Sequence, residues 1–148
     1  MASLQQLRQR FENLNGREGE LAREAISDNS ATAVDMVASQ LAQGMMKDGA
    51  RSDFSYAQFT IAVKRSMSGL AGVTDHLTNY NTGESYANLY MKVSGEEIEF
   101  GTSTDKEQSI SDRMHGKAFG LTPDNKEEFI RQHVQQSFVI KVREIVQL

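Results

Sequence analysis

One stretch, from Asn81 to Gly101, narrows the folds open to this chain more than any other. Between its ends Ala87, Leu89, Met91 and Val93 alternate with Tyr86, Asn88, Tyr90 and Lys92. That period of two sends one set of side chains to a buried face and the other outward, as in a half-buried strand. Ile98 and Phe100 resume the apolar set after Ser94-Gly95-Glu96-Glu97. The surrounding sequence reads as helix on both sides, so the sheet is expected to be small and built on this hairpin.

The turn follows from register, because a slip of one residue moves a whole apolar set to the wrong face. A two-residue loop, Gly95-Glu96, pairs Ser94 with Glu97, Val93 with Ile98 and Met91 with Phe100, and all four apolar side chains then share one face. A three-residue loop would set Ile98 opposite Lys92, burying a charge or exposing an isoleucine. The two-residue loop is therefore expected, with Gly95 at the first position of a type II′ turn, where a positive φ is required. A lone hairpin is marginal in water, which implies a third strand or strands from another subunit.

Helical periodicity accounts for most of the rest. Leu4, Leu7, Phe11 and Leu14 form a stripe between a Ser3 cap and Asn15-Gly16. This terminal helix either packs on its own domain or docks on a neighbour. From Glu18 to about Met46 a second stripe runs through Leu21, Ala25, Ile26, Ala33, Val34, Val37, Ala38, Leu41 and Met45. Ser27-Asp28-Asn29-Ser30 weaken its centre, where a kink or break is expected. The small alanines let another element approach closely, most simply the sheet.

Residues 54–65 satisfy both strand and helix templates; a short helix or irregular segment is favoured and the choice stays open. Ser66 to Asn81, rich in Gly, Ser, Thr and Asn, reads as a loop that becomes ordered between subunits. Thr104-Asp105-Lys106-Glu107 has the pattern of a capping box opening a helix to about His115, with Ile110 and Met114 inward. Thr122, Pro123 and Asp124 mark the start of the last helix. Its stripe is Ile130, Val134, Phe138, Val142 and Ile145, widened by Phe129, Ile140 and Val146, and it is expected to pack on the hairpin face. The fold class is α+β: a small antiparallel sheet, the hairpin around 84–101, packed by long helices at the N- and C-terminal ends. Residues 1–148 form one domain, with 1–15 a peripheral or docking helix.

The dipeptide Thr82-Gly83 entering the strand, the glycine at the hairpin tip and a second strand ending Gly101-Thr102-Ser103 form one pattern. With Phe119-Gly120-Leu121-Thr122-Pro123 ahead of a final amphipathic helix, it resembles the neck, head–tail connector and tail-completion proteins of tailed bacteriophages. The likeness spans the C-terminal half and the long helix before it. It implies a structural virion protein, assembled in the host cytoplasm and working as one copy of a ring. Its partners would be identical copies and other portal, connector or tail proteins, with DNA passing through the channel without sequence-specific contact. On this reading the assembly surfaces are the tip Ser94, Gly95, Glu96 and Glu97, the outward residues Tyr86, Tyr90 and Lys92, the loop residues Gly72, His76 and Tyr80, and the two terminal helices.

Composition agrees with a globular chain: 148 residues, 39% hydrophobic, 24% charged and no cysteine. A net charge of −4 argues against a general nucleic-acid clamp, which needs clustered Lys and Arg. The apolar runs are too short to span a bilayer and the N-terminus lacks a signal-peptide layout, so no membrane is expected. There is no phosphate-binding glycine loop, zinc-protease motif or nucleophile elbow. His76, His115 and His133 lie in separate segments, so catalytic residues, metal and cofactor are all expected to be none. His115 before Gly116 suits a helix C-terminus. Glu96, Glu97 and Glu99 read as a solvated edge; the resemblance implies instead that they line a channel and repel passing DNA. The rival to a virion role is a non-enzymatic cytosolic adaptor or regulator acting through protein–protein contacts; an enzyme ranks below both.

Overall fold

A computed structural model describes residues 3–147. The chain is α+β, with helices near both ends and one antiparallel hairpin between them. In order, α1 spans Leu4–Leu14, α2 Glu18–Asp28, α3 Ser30–Ala42, α4 Gln58–Lys64 and α5 Glu84–Ala87. Strands β1 (Leu89–Ser94) and β2 (Glu97–Thr102) follow, then α6 (Glu107–Arg113), α7 (Pro123–Phe129) and α8 (Gln135–Val146). No helix among the described residues is long and apolar enough to cross a membrane.

The hairpin has the register that face-matching required: Ser94 opposite Glu97, Val93 opposite Ile98, Met91 opposite Phe100. Gly95 carries φ 61, and Glu96 is absent from the positive-φ residues, the type II′ signature. Two expectations need correction. Ile98 stays 43% exposed, because the tip runs past the helices that cover Met91 and Phe100. Among the described residues no third strand joins β1 and β2, and the one other pairing is an isolated bridge between Met45 and Arg51.

The strand also begins later than its alternation suggests. Residues 84–87 make a helical turn: Thr82 Oγ1 accepts the Glu84 N–H, and Asn88 Nδ2 donates to the Glu84 carbonyl at 2.8 Å. These local side-chain bonds compete with extended backbone and win here. Ala87 is consequently exposed, and Tyr86 points inward where the alternation placed it outside.

Helices α2 and α3 break at Asn29, whose Nδ2 donates to the Ala25 carbonyl and to Ser137 Oγ, both at 2.8 Å. The break is thereby stapled to α8, and Lys141 adds an ion pair to Asp28 at 2.8 Å. Both helices pack on β1, as their small residues suggested. Ala25, Ala33, Met91, Phe129 and Val134 form one cluster; Val37, Leu41, Met46, Leu77, Ile110 and Met114 form most of the other. Phe100 and Leu121 pack against both, so the two are continuous.

The Thr122 cap forms as its sequence indicates, Oγ1 accepting the Asn125 N–H at 3.2 Å with Pro123 at the first turn. Beyond α7 the helix widens into a π turn over Ile130–Val134 before α8. A π turn inserts a residue into the repeat, so the inward positions become Phe129 and Val134, five apart. Ile130, assigned to the buried stripe, is instead 44% exposed. The packing of α8 differs as well: it lies chiefly on α1 and α2, and the hairpin is reached from this end through Phe129, Val134 and Phe138.

The Thr104 capping box does not form. Helix α6 begins at Glu107 with Lys106 at the cap, and Glu107 Oε2 accepts the Thr102 N–H at 3.0 Å. The carboxylate secures the end of β2 rather than the backbone of Thr104. At the other end Ile110 and Met114 are buried as expected.

Candidate functional site

The residues assigned to assembly surfaces fall into two groups. Ser94, Gly95, Glu96 and Glu97 sit exposed at the hairpin tip, with Lys92 exposed on the strand before them. Lys92 Nζ lies 3.1 Å from Glu99, and Tyr90 donates its hydroxyl to the same carboxylate at 3.2 Å. Glu99 is thus committed within its own chain, whereas Glu96 and Glu97 have no ion pair among the described residues. Lysine's charge is favoured by that neighbour, which raises the Lys92 pKa above its usual value.

The second group serves the chain's own interior. Gly72 closes a 3-10 turn, Gly69–Gly72, against the Met67 carbonyl. His76 Nε2 lies 2.8 Å from the Ala42 carbonyl and Nδ1 2.8 Å from Asp75. Leu77 and Thr78 are fully buried between them and Tyr80. The loop from Ser66 to Asn81 is therefore ordered by contacts within one chain, in contrast to the expectation that a neighbour orders it. The signal was in its apolar residues, of which Ala71 and Leu77 are buried.

Thr78 is gripped from both sides. Its N–H donates to Tyr56 Oη at 3.0 Å, and the Tyr86 hydroxyl donates to its carbonyl. Tyr80 packs edge-on to Tyr86 with ring centroids 5.0 Å apart. Burial pushes the Tyr86 phenol well above its ordinary value, with Tyr56 and Tyr80 adding to the shift. Gly83, half of the Thr-Gly dipeptide, holds φ 84, and a Cβ there would lie 2.6 Å from Tyr80 Oη. Only glycine satisfies both the backbone and the close approach.

These tyrosines form one wall of a cleft of about 580 Å³ between α4, the segment 79–86 and α6. A volume of that size is within the roughly 300–1,000 Å³ typical of binding sites. Its rim is apolar and open: Phe59 is 82% exposed, and Phe54, Val63 and Met67 are also exposed. Lys64, 6% exposed, lines the floor; its Nζ lies 4.7 Å from the Tyr56 ring centroid and donates to the Tyr80 carbonyl at 3.4 Å. Among the described residues no carboxylate comes within 4.0 Å of it. Lys106 and Arg113 line the same cleft with no ion pair among the described residues, against one acid, Glu84. Sequence reading did not reach this cleft, because the alternative templates for residues 54–65 hid which way Lys64 points.

The histidines remain apart. His115 Nε2 lies 2.8 Å from Asp53, whose carboxyl it holds below the usual range, and His133 packs beside Phe129. No cluster of His, Asp and Glu suited to a metal ion occurs among the described residues. No protein-family model, curated protein or solved structure matches this chain.

Proposed function

We propose that this chain is a structural subunit of the head–tail joining region of a tailed bacteriophage, one copy of a closed ring, acting without catalysis through contacts with identical copies and with portal, connector or tail proteins. The observation that carries the reading is the hairpin. Two strands whose outer edges have no partner among the described residues project an uncovered tip, with Ile98 and two unpaired glutamates, away from a helical body. Natural proteins cover or pair such edges, and a neighbouring subunit is one way to do so.

Other surfaces favour the same reading. Helix α1 buries no residue fully, leaving Leu4 86% exposed, and Val139 and Ile140 are exposed on α8, against which it packs. Exposed apolar surface on adjoining elements suits a protein interface. The net charge of −4 agrees with a channel that lets DNA pass without gripping it. The test is the protein content of purified tailed particles from cells producing this chain. A ring component stays with the neck or tail in several copies through density-gradient purification. Its absence from particles, with all of it in the soluble host fraction, would replace this reading with that of a cytosolic adaptor.

A further inference from the structure

The hairpin tip and the α4 cleft complement each other. The cleft carries three cations with no ion pair among the described residues, Lys64, Lys106 and Arg113, beside an apolar rim led by Phe59. Lys64 is the informative one. A buried ammonium is normally matched by a carboxylate, since desolvating an unpaired charge is costly; here an aromatic face and one long bond to a carbonyl are its partners. The tip supplies the converse: Glu96 and Glu97 without ion pairs, and Ile98 uncovered beside them.

Within one chain the two do not meet. The cleft is lined from 54–67, 79–86 and α6, with nothing from the hairpin itself. Its wall at Ser85 and Tyr86 adjoins the base of β1, and five residue steps at about 3.3 Å each put the tip roughly 17 Å further along the strand. Patches on different parts of the surface that fit each other make a head-to-tail contact, which closes into a ring when the rotation allows.

Resting on the ring reading above, we propose that the hairpin tip of each copy seats in the α4 cleft of the next, with Glu96 and Glu97 facing Lys64, Lys106 and Arg113, and Ile98 against the α4 rim. The tip gives Lys64 the counter-charge that no described residue of its own chain provides. It also covers the apolar rim at Phe59 and Val63 that the monomer leaves in water. Glu99, tied to Lys92 and Tyr90, keeps the strand below the tip in shape and takes no part in the contact.

The chain has no cysteine, so engineered thiols report contacts cleanly. Full-length Ile98→Cys and Val63→Cys proteins are mixed and oxidised with glutathione disulfide, alongside a control mixture of Ile98→Cys with Ser39→Cys, an exposed position on α3. Selective disulfide formation in the first mixture is expected; equal yields in both overturn the proposal. Sedimentation of charge-reversed full-length chains gives the second readout. Glu96→Lys with Glu97→Lys, or Lys106→Glu with Arg113→Glu, should each weaken self-association by about tenfold or more, and combining all four should recover most of it. All four positions are exposed, and helical circular dichroism checks that the fold persists. Self-association that ignores both reversals overturns the tip-in-cleft contact while leaving the ring reading intact. A wild-type chain that never self-associates overturns both.

Discussion

Gln40 Oε1 accepts the Thr122 backbone N–H at 3.1 Å, joining the end of α3 to the cap of α7 across 82 positions of sequence. The same oxygen accepts from Asn125 Nδ2 at 2.7 Å, and Gln40 Nε2 donates to the Gly120 carbonyl at 2.7 Å. Gln40, Gly120 and Thr122 are buried, so the two backbone partners depend on it for bonds that water does not replace, and the half-buried Asn125 side chain loses its partner with them. Gln40→Leu keeps much of the volume and orphans all three. Chemical denaturation should register a loss of about 2–3 kcal/mol, following the cost of unsatisfied buried polar groups. A change under about 0.5 kcal/mol, the level of an ordinary surface substitution, would mean that the three groups find other partners.

The π turn sets which residues of the last helix matter. Phe129→Ala should cost about 3–5 kcal/mol, as for a fully buried ring, while Ile130→Ala should stay within about 0.5 kcal/mol. A regular helix in phase with the sequence pattern would reverse that order. Thermal unfolding of the two variants side by side distinguishes them.

Gly95 isolates a backbone effect. A Cβ at that position meets nothing within 4 Å, so a penalty from replacement reports the positive φ alone. Gly95→Val should destabilise by about 1–2 kcal/mol, whereas Gly95→Asn, which tolerates left-handed backbone better, should cost less. Equal stabilities for glycine and valine would contradict the type II′ turn.

Asp48 provides a pH test. Its carboxyl accepts the Ala50 N–H at 2.9 Å and pairs with Lys117 at 2.9 Å, and these hold its pKa below the ordinary 3.8. A carboxyl whose folded pKa is depressed adds stability above its unfolded value and loses it as pH falls through the folded one. The melting-temperature gap between wild type and Asp48→Ala should hold steady at neutral and mildly acidic pH, then shrink below pH 3.8. A gap that widens there would reverse the assigned direction.

What sequence revealed follows from how local each signal is. The Gly95-Glu96 turn, the Thr122-Pro123 start and the break at Asn29 rest on neighbours within a few residues, and all three were legible. The late start of β1 was not, because Thr82 and Asn88 close a helical turn over residues that alternate as well as any strand. The phase of the last helix hid behind the π turn, which the apolar pattern does not announce. The cleft escaped for a different reason: Lys64, Tyr80 and Arg113 come from three separate elements, and only tertiary packing sets a buried cation beside an open apolar rim. Of the proposed surface residues, Glu96 and Glu97 are exposed, while Tyr80, Tyr86 and His76 serve the interior.

The measurement that bears most directly on the whole account is the native mass of the full-length chain over a wide range of protein concentration. A ring subunit gives one dominant assembly whose mass is a fixed multiple of 16.5 kDa, greater than two, with the same multiple in the neck of purified particles. A species of 16.5 kDa at every concentration, and no ring of this chain in particles, would contradict it.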